Sequence, residues 1–206
     1  VDFKPDFVFH LAAQALVRAS YEDPFKTFET NVIGSVNLLD AVLASNSVRS
    51  LVYITSDKCY ENNEWIWGYR ENDMLGGRDP YSASKACAEH VFSAYYRSYI
   101  EKLDSLGAAS VRAGNVIGGG DWAADRIVPD CVRSIESGEP ITLRNPHATR
   151  PWQHVLEPLS GYLLLALKLY SNPSKYSGAW NFGPSTHETA TVENLANSIT
   201  KHFNKG

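Results

Sequence analysis

Three short apolar runs, Asp6–Leu11, Ser50–Thr55 and Ala108–Arg112, alternate along this chain with two longer segments whose apolar residues recur at three and four positions. Runs that short and that uniformly apolar read as strands buried on both faces, the pattern of a parallel sheet covered by helices. Parallel neighbours need a crossover between them, so strand, helix, strand, helix, strand restricts the chain to βαβ units and an α/β fold. The first crossover, from Asp23-Pro24 to about Asn46, carries Phe25, Phe28, Val32, Val36, Leu39 and Val42, which predicts one amphipathic helix. The second opens with a polar, irregular stretch, Ser56–Asp79, too long for a plain connection. A helical pattern follows from Tyr81 to about Leu106, set off by Pro80 and closed by Gly107.

Beyond Asn115 the pattern predicts a helix at Ile127–Ser137, a strand at Ile141–Leu143, a helix from about Glu157 to Tyr170, a strand at Ala179–Phe182 and a last helix over Val192–Phe203. With 206 residues, 44% of them hydrophobic, the chain can bury a sizeable core. A formal charge of −4, from 19 basic and 23 acidic residues without long runs, gives no reason to expect nucleic acid or an anionic membrane as partner. No apolar run reaches the roughly 18 residues of a membrane span. Cys59, Cys87 and Cys131 match no metal or disulfide framework and read as ordinary thiols in a reducing, cytoplasmic setting.

Chemistry concentrates where the strands end. Tyr81 and Lys85 stand four apart at the start of the second helix, hence one turn apart on one face. Unit charges 4 Å apart at an effective dielectric near 20 interact by about 4 kcal/mol, enough to bring a phenol toward general-base strength near neutral pH. Thr55-Ser56-Asp57-Lys58 directly follows the second strand, and His10-Leu11-Ala12-Ala13-Gln14 closes the first. Ligands of open α/β sheets bind at that carboxyl edge. Gly118-Gly119-Gly120 lacks the G-x-G-x-x-G spacing of a phosphate loop and reads as a substrate-side loop.

In order along the chain stand His10-Leu11-Ala12-Ala13, Asn31-Val32-Ile33-Gly34-Ser35, Thr55-Ser56, Tyr81 to Lys85, and Arg150-Pro151-Trp152. This set resembles the extended short-chain dehydrogenase/reductase family. The resemblance implies a partial Rossmann-type, doubly wound parallel sheet with a smaller mixed α/β substrate-binding region. Residues 1–115 then form the later part of an NAD-binding domain, and residues 116–206 are mostly substrate-binding, with some elements returning to the first domain. Ser56-Asp57-Lys58, Gly118 to Trp122 and Arg150 to Val155 are similar to the branch of sugar-nucleotide 4,6-dehydratases that act on CDP-linked glucose.

That resemblance implies NAD as a bound catalyst and a nucleotide sugar as substrate. Tyr81 is expected to take the O4 proton, with Ser56 hydrogen-bonding the oxygen and Lys85 holding a cofactor ribose. Lys58 is expected to remove the C5 proton, which asks for a partly neutral amine, and Asp57 to protonate the departing O6. Ala12, Ala13, Asn31 and Thr55 match positions lining the cofactor, although Asn31 also reads as a polar residue inside a helix. Gln14, Asn115, Arg126, Arg150 and Asn181 match positions near the diphosphate and sugar, with Arg18 a weaker candidate. Family habit puts a homodimer interface on the two crossover helices. The glycine-rich opening of a dinucleotide-binding domain is not in this sequence, so the resemblance leads one to expect a piece lacking that segment and the C-terminal end. A 4-epimerase or reductase of the same family, or a fragment that binds no cofactor, stays open.

Overall fold

The computed structural model describes residues 3–185 and 190–203. It divides the chain into two units, Val1–Ala113 with Leu159–Phe182, and Gly114–Pro158 with Gly183–Gly206.

The first unit is built on a four-stranded parallel sheet of β1 (Phe7–His10), β2 (Ser50–Ile54), β3 (Gly107–Ala113) and, from the returning segment, Gly178–Phe182. The register sets Val8 beside Leu51, Leu51 beside Ala108, and Val111 beside Trp180. Successive strand residues face opposite sides. Leu51, Tyr53 and Ala108 join Leu39, Val42, Ala88 and Phe92 in one core, while Val52, Ala109 and Val111 join Tyr162, Leu165, Ala166 and Leu169 in another. The sheet is thus buried on both faces at β2 and β3, as their uniform apolarity requires.

The first crossover is more broken than its periodicity predicts. It holds α1 (Val17–Glu22), which the apolar spacing did not reveal, then α2 (Pro24–Phe28), a π-helical turn Glu29–Ile33, and α3 (Gly34–Ser45). Asp23 caps α2 by accepting from the Lys26 amide at 2.8 Å, and Asn46 ends α3 in the left-handed region at φ 53°. The buried stripe is Thr27, Asn31, Ser35, Leu39 and Val42, whereas Phe25 is 75% exposed. The second crossover ends in α4 (Pro80–Ser98), capped by the Asp79 carboxylate on the Ser82 amide at 3.0 Å with Pro80 at the first helical position. A short 3₁₀ turn, Ile100–Lys102, takes the place of the expected last turns of that helix.

In the second unit β4 (Val116–Ile117) precedes α5 (Ile127–Ser137), β5 (Thr149–Arg150) and β6 (Gln153–His154). The helix α6 (Leu156–Ser171) and the short α7 (Pro173–Tyr176) lead into β7, the strand Gly178–Phe182 already placed; β8 (Ala190–Thr191) and α8 (Val192–Phe203) follow. Within this unit β4 pairs with β6 in parallel, β5 pairs with β8 antiparallel, and α5 packs on α8. The expected strand at Ile141–Leu143 is absent: its residues alternate in exposure but join none of the sheets among the described residues. Gly118 lies against Val155, where a Cβ would come within 2.6 Å of Cγ1.

Candidate active site

The start of α4 holds Tyr81 and Lys85 one turn apart, 7% and 5% exposed. The Tyr81 amide donates to the Ser20 hydroxyl of α1 at 3.2 Å, tying this helix start to the first crossover. Burial pushes the Lys85 ammonium down from its ordinary 10.5 to about 8, with the Glu89 carboxylate opposing the shift. Among the described residues that ammonium joins no ion pair, so its donors are available to a ligand. His10, at the end of β1, is lowered too, first by burial and then by the Lys85 charge.

At the carboxyl end of β2 the Ser56 hydroxyl caps a short turn, Asp57–Cys59, accepting from the Lys58 amide at 3.3 Å and donating to Asp57 Oδ1 at 3.1 Å. Lys58 Nζ lies 3.4 Å from Asp57 Oδ1, with side chains 38% and 34% exposed. The Lys58 amine is thus partly exposed and in contact with a carboxylate. Thr55, 7% exposed, is turned inward, its hydroxyl bonded to Glu89 and its amide to the Val111 carbonyl at 2.9 Å. Cys59 behind them is fully buried, and burial first, then Glu89, pushes its thiol up.

Ala12 and Ala13 form the loop directly after β1, Ala12 exposed and Ala13 half-buried. Asn31, in the π-helical turn, fixes this loop: its Oδ1 accepts from the Gln14 amide at 2.8 Å, and its Nδ2 donates to the Gln14 carbonyl at 3.0 Å and to Ser84 Oγ on α4 at 2.8 Å. Gln14 spends its own amide locally, donating to Thr27 Oγ1 at 2.8 Å and to the Leu16 carbonyl at 3.1 Å, and accepting from the Leu16 amide at 2.5 Å. Both residues hold the loop in this structure. Asn181, on β7, accepts from the Tyr60 hydroxyl at 2.8 Å, donates from its side chain to the Tyr69 carbonyl at 2.9 Å and from its backbone amide to the Glu71 carboxylate at 2.8 Å, so it pins the long loop after β2.

Of the remaining expected residues, Arg18 is exposed on α1 of the first unit, and Asn115, Arg126 and Arg150 belong to the second. The Asn115 side-chain oxygen is buried without a partner among the described residues, while its backbone carbonyl accepts from the Gln153 amide at 3.0 Å. Arg126 lies 3.9 Å from Asp121, both about half exposed, and Arg150 donates to the Thr149 carbonyl at 2.8 Å from an exposed position.

Sequence reasoning missed the polar frame behind the first unit's residues. Glu89 on α4 accepts from Ser110 at 2.9 Å and from Arg112 at 2.7 Å, and Arg112 donates onward to the Tyr60 hydroxyl at 2.7 Å and the Glu71 carbonyl at 2.9 Å. An arginine in a strand of glycine, alanine, serine and valine was the available signal, because a buried cation demands a partner.

The profile of the NAD dependent epimerase/dehydratase family matches residues 1–183. The chain is 54% identical over 202 residues to the CDP-glucose 4,6-dehydratase of Salmonella typhimurium, covering 96% of this chain and 56% of that protein. It is 27% identical over 176 residues to the dTDP-D-glucose 4,6-dehydratase of Dictyostelium discoideum, covering 80% of this chain and 39% of that one. Among solved structures, the Thermus thermophilus UDP-glucose 4-epimerase in complex with NAD superposes with a TM-score of 0.81 at 27% identity, over 100% of this chain and 64% of the other. The chain thus spans less than two thirds of the length of these relatives. With the parallel sheet and the profile match over most of its length, this chain belongs to the NAD dependent epimerase/dehydratase family.

Proposed function

We propose that the protein dehydrates a CDP-linked hexose, converting CDP-glucose to the 4-keto-6-deoxy sugar and water, with NAD as its bound catalyst. The observation that carries this reading is the pairing of Asp57 and Lys58 at 3.4 Å directly after β2, in the same unit as Tyr81 and Lys85. Oxidation at C4 needs one base, whereas elimination of O6 needs a second acid and base, and this unit supplies both sets.

The buried, unpaired Lys85 ammonium fits a cofactor ribose, whose hydroxyls would complete its hydrogen bonds, and the Ala12-Ala13 loop is small enough to let a flat ring approach. When bound, NAD supplies the hydride acceptor at the start and the donor at the end. Tyr81 takes the O4 proton, with Lys85 one helical turn away on the same face. Ser56 steadies O4. Lys58 removes the C5 proton once a ketone acidifies it, and Asp57, hydrogen-bonded to Ser56 and beside Lys58, returns a proton to O6 as it leaves. For this step the pair's shared proton sits on Asp57 rather than on Lys58, a transfer that their 3.4 Å contact allows. In the second unit, Arg126, Arg150 and Asn115 are the proposed partners of the diphosphate and sugar; an arginine fork suits a phosphate.

We also propose a cytoplasmic homodimer through the crossover helices, on which Phe25, Ile33 and Tyr99 are 75%, 53% and 56% exposed. Among the described residues no helix is long and apolar enough to cross a membrane. The test of function is product mass: the full-length protein with CDP-glucose should release a nucleotide sugar lighter by one water. A product of unchanged mass would replace dehydration by epimerisation.

A further inference from the structure

A single carboxylate on α4 reaches both halves of the proposed machinery in the first unit. Glu89, 2% exposed, stands four residues after Lys85. Its Oε1 accepts from the Thr55 hydroxyl, and its Oε2 accepts from Ser110 Oγ at 2.9 Å and Arg112 Nη2 at 2.7 Å. Thr55 is the residue immediately before Ser56-Asp57-Lys58. We propose that Glu89 is a positioning residue: it binds the end of β2 to the helix bearing Tyr81 and Lys85, and it is the counter-charge of the Lys85 ammonium. This assignment rests on the reading of Tyr81 and Lys85 given above.

Stability alone does not account for the arrangement. A buried ion pair roughly repays its desolvation, and an apolar pair of the same volume often does as well or better. What an apolar pair cannot do is direct the Thr55 hydroxyl or place a negative charge one turn from a buried lysine. The groups facing Lys85 are His10 from β1, Cys59 from the turn after β2, and Tyr81 and Glu89 from its own helix. Of these, the Glu89 carboxylate is the foremost group opposing the desolvation of Lys85, ahead of Cys59, while the Lys85 charge lowers His10. Arg112, which donates to the same carboxylate, is itself raised, its burial outweighed by the Glu89 bond and charge together with Cys59 and Tyr60, so removal of Glu89 also strands a second buried cation.

The experiment uses the full-length protein with two variants, Glu89→Gln and Glu89→Gln/Arg112→Met. Glutamine keeps the shape and can accept from one of the Thr55 and Ser110 hydroxyls while donating to the other, and the double variant removes the cation that the single one strands. Lys85 is followed by NMR of ¹³C-labelled lysine, its signal identified by loss in Lys85→Met. The rate of NADH formation on mixing with CDP-glucose is recorded against pH. In the folded double variant the Lys85 midpoint should fall by roughly one unit or more, and oxidation at pH 7 should slow about tenfold, recovering as pH rises. A midpoint within about a third of a unit of the parent's would overturn the proposal, as would failure of both variants to fold, since the pair would then be structural only. If the midpoint falls while the rate profile stays put, the counter-charge role of Glu89 stands and the reading of Tyr81 and Lys85 as the oxidising pair fails.

Discussion

Across 53 residues of sequence, Asn31 Nδ2 donates to Ser84 Oγ at 2.8 Å, joining the π-helical turn of the first crossover to the helix turn between Tyr81 and Lys85. The same side chain holds the Gln14 backbone through two more bonds, so one buried amide sets the distance between the loop after β1 and the start of α4. Asn31→Ala would leave the half-buried Gln14 amide and carbonyl without their partner. The expected loss is about 2–3 kcal/mol, read as a lower urea midpoint at unchanged slope. A variant as stable as the parent would show that the loop is held by other means.

Gly77 lies where the long loop meets α4, and a Cβ there would come within 2.4 Å of the Ala83 nitrogen and the Ser82 carbonyl carbon. Both obstacles are backbone, so relief requires moving the loop or the helix start beside Tyr81. Gly77→Ala should cost about 1–3 kcal/mol and reduce turnover, whereas Gly119→Ala, which meets nothing within 4 Å, should stay within about 0.5 kcal/mol of the parent. Thermal unfolding of the two single variants side by side measures the contrast.

Lys85 gives a pH dependence of stability with a definite sign. Its folded value of about 8 lies below its ordinary 10.5, so between those values the unfolded chain holds a proton that the folded chain has lost. Its contribution to stability therefore rises with pH across that window and is least favourable below it. Lys85→Met removes the cost of burying the charge. The variant should exceed the parent in stability by up to about 3 kcal/mol near pH 7, with the advantage shrinking as pH climbs toward 10.5. Denaturation curves at several pH values check it, and an advantage that grows with pH would contradict the sign.

The elements that could be read from sequence are those whose information is local. Strands buried on both faces announce themselves as apolar runs, and β2 and β3 match theirs within a residue or two at each end. Tyr81 and Lys85 were legible because a four-residue spacing means one helical turn in any context. The first crossover was not, since Thr27, Asn31 and Ser35 are buried polar residues that leave no apolar period, while Phe25 contributes to the period and is exposed. Glu89 and Arg112 escaped for the same reason: their meaning lies in each other, 23 residues apart. The two-residue strands of the second unit depend on partners as distant as Thr149 and Thr191, and the alternating Ile141–Leu143, which found none, stayed irregular.

The division of labour between the two residue pairs separates dehydration from simple oxidation. Tyr81 is proposed to act in the first hydride transfer, whereas Asp57 and Lys58 act only once the ketone exists, so the lesions should look different in the full-length protein. Tyr81→Phe leaves the O4 proton without an acceptor and should slow NADH formation by at least about a hundredfold on mixing with CDP-glucose. Asp57→Asn keeps the shape of the turn but holds no proton for O6, so bound NADH should form and persist. Lys58→Met should also oxidise, yet carry little solvent deuterium into C5, because its amine is the proposed base. The outcome turns on the Asp57–Lys58 pair, 3.4 Å apart, because the proposed roles place its shared proton on Asp57 when C5 is attacked. Stopped-flow absorbance of reduced nicotinamide, with mass analysis of product formed in deuterated water, reads all three variants. If Lys58→Met exchanges and eliminates at close to the parent rate, Lys58 is not the base, and Asp57 or another group in this unit must carry both proton transfers.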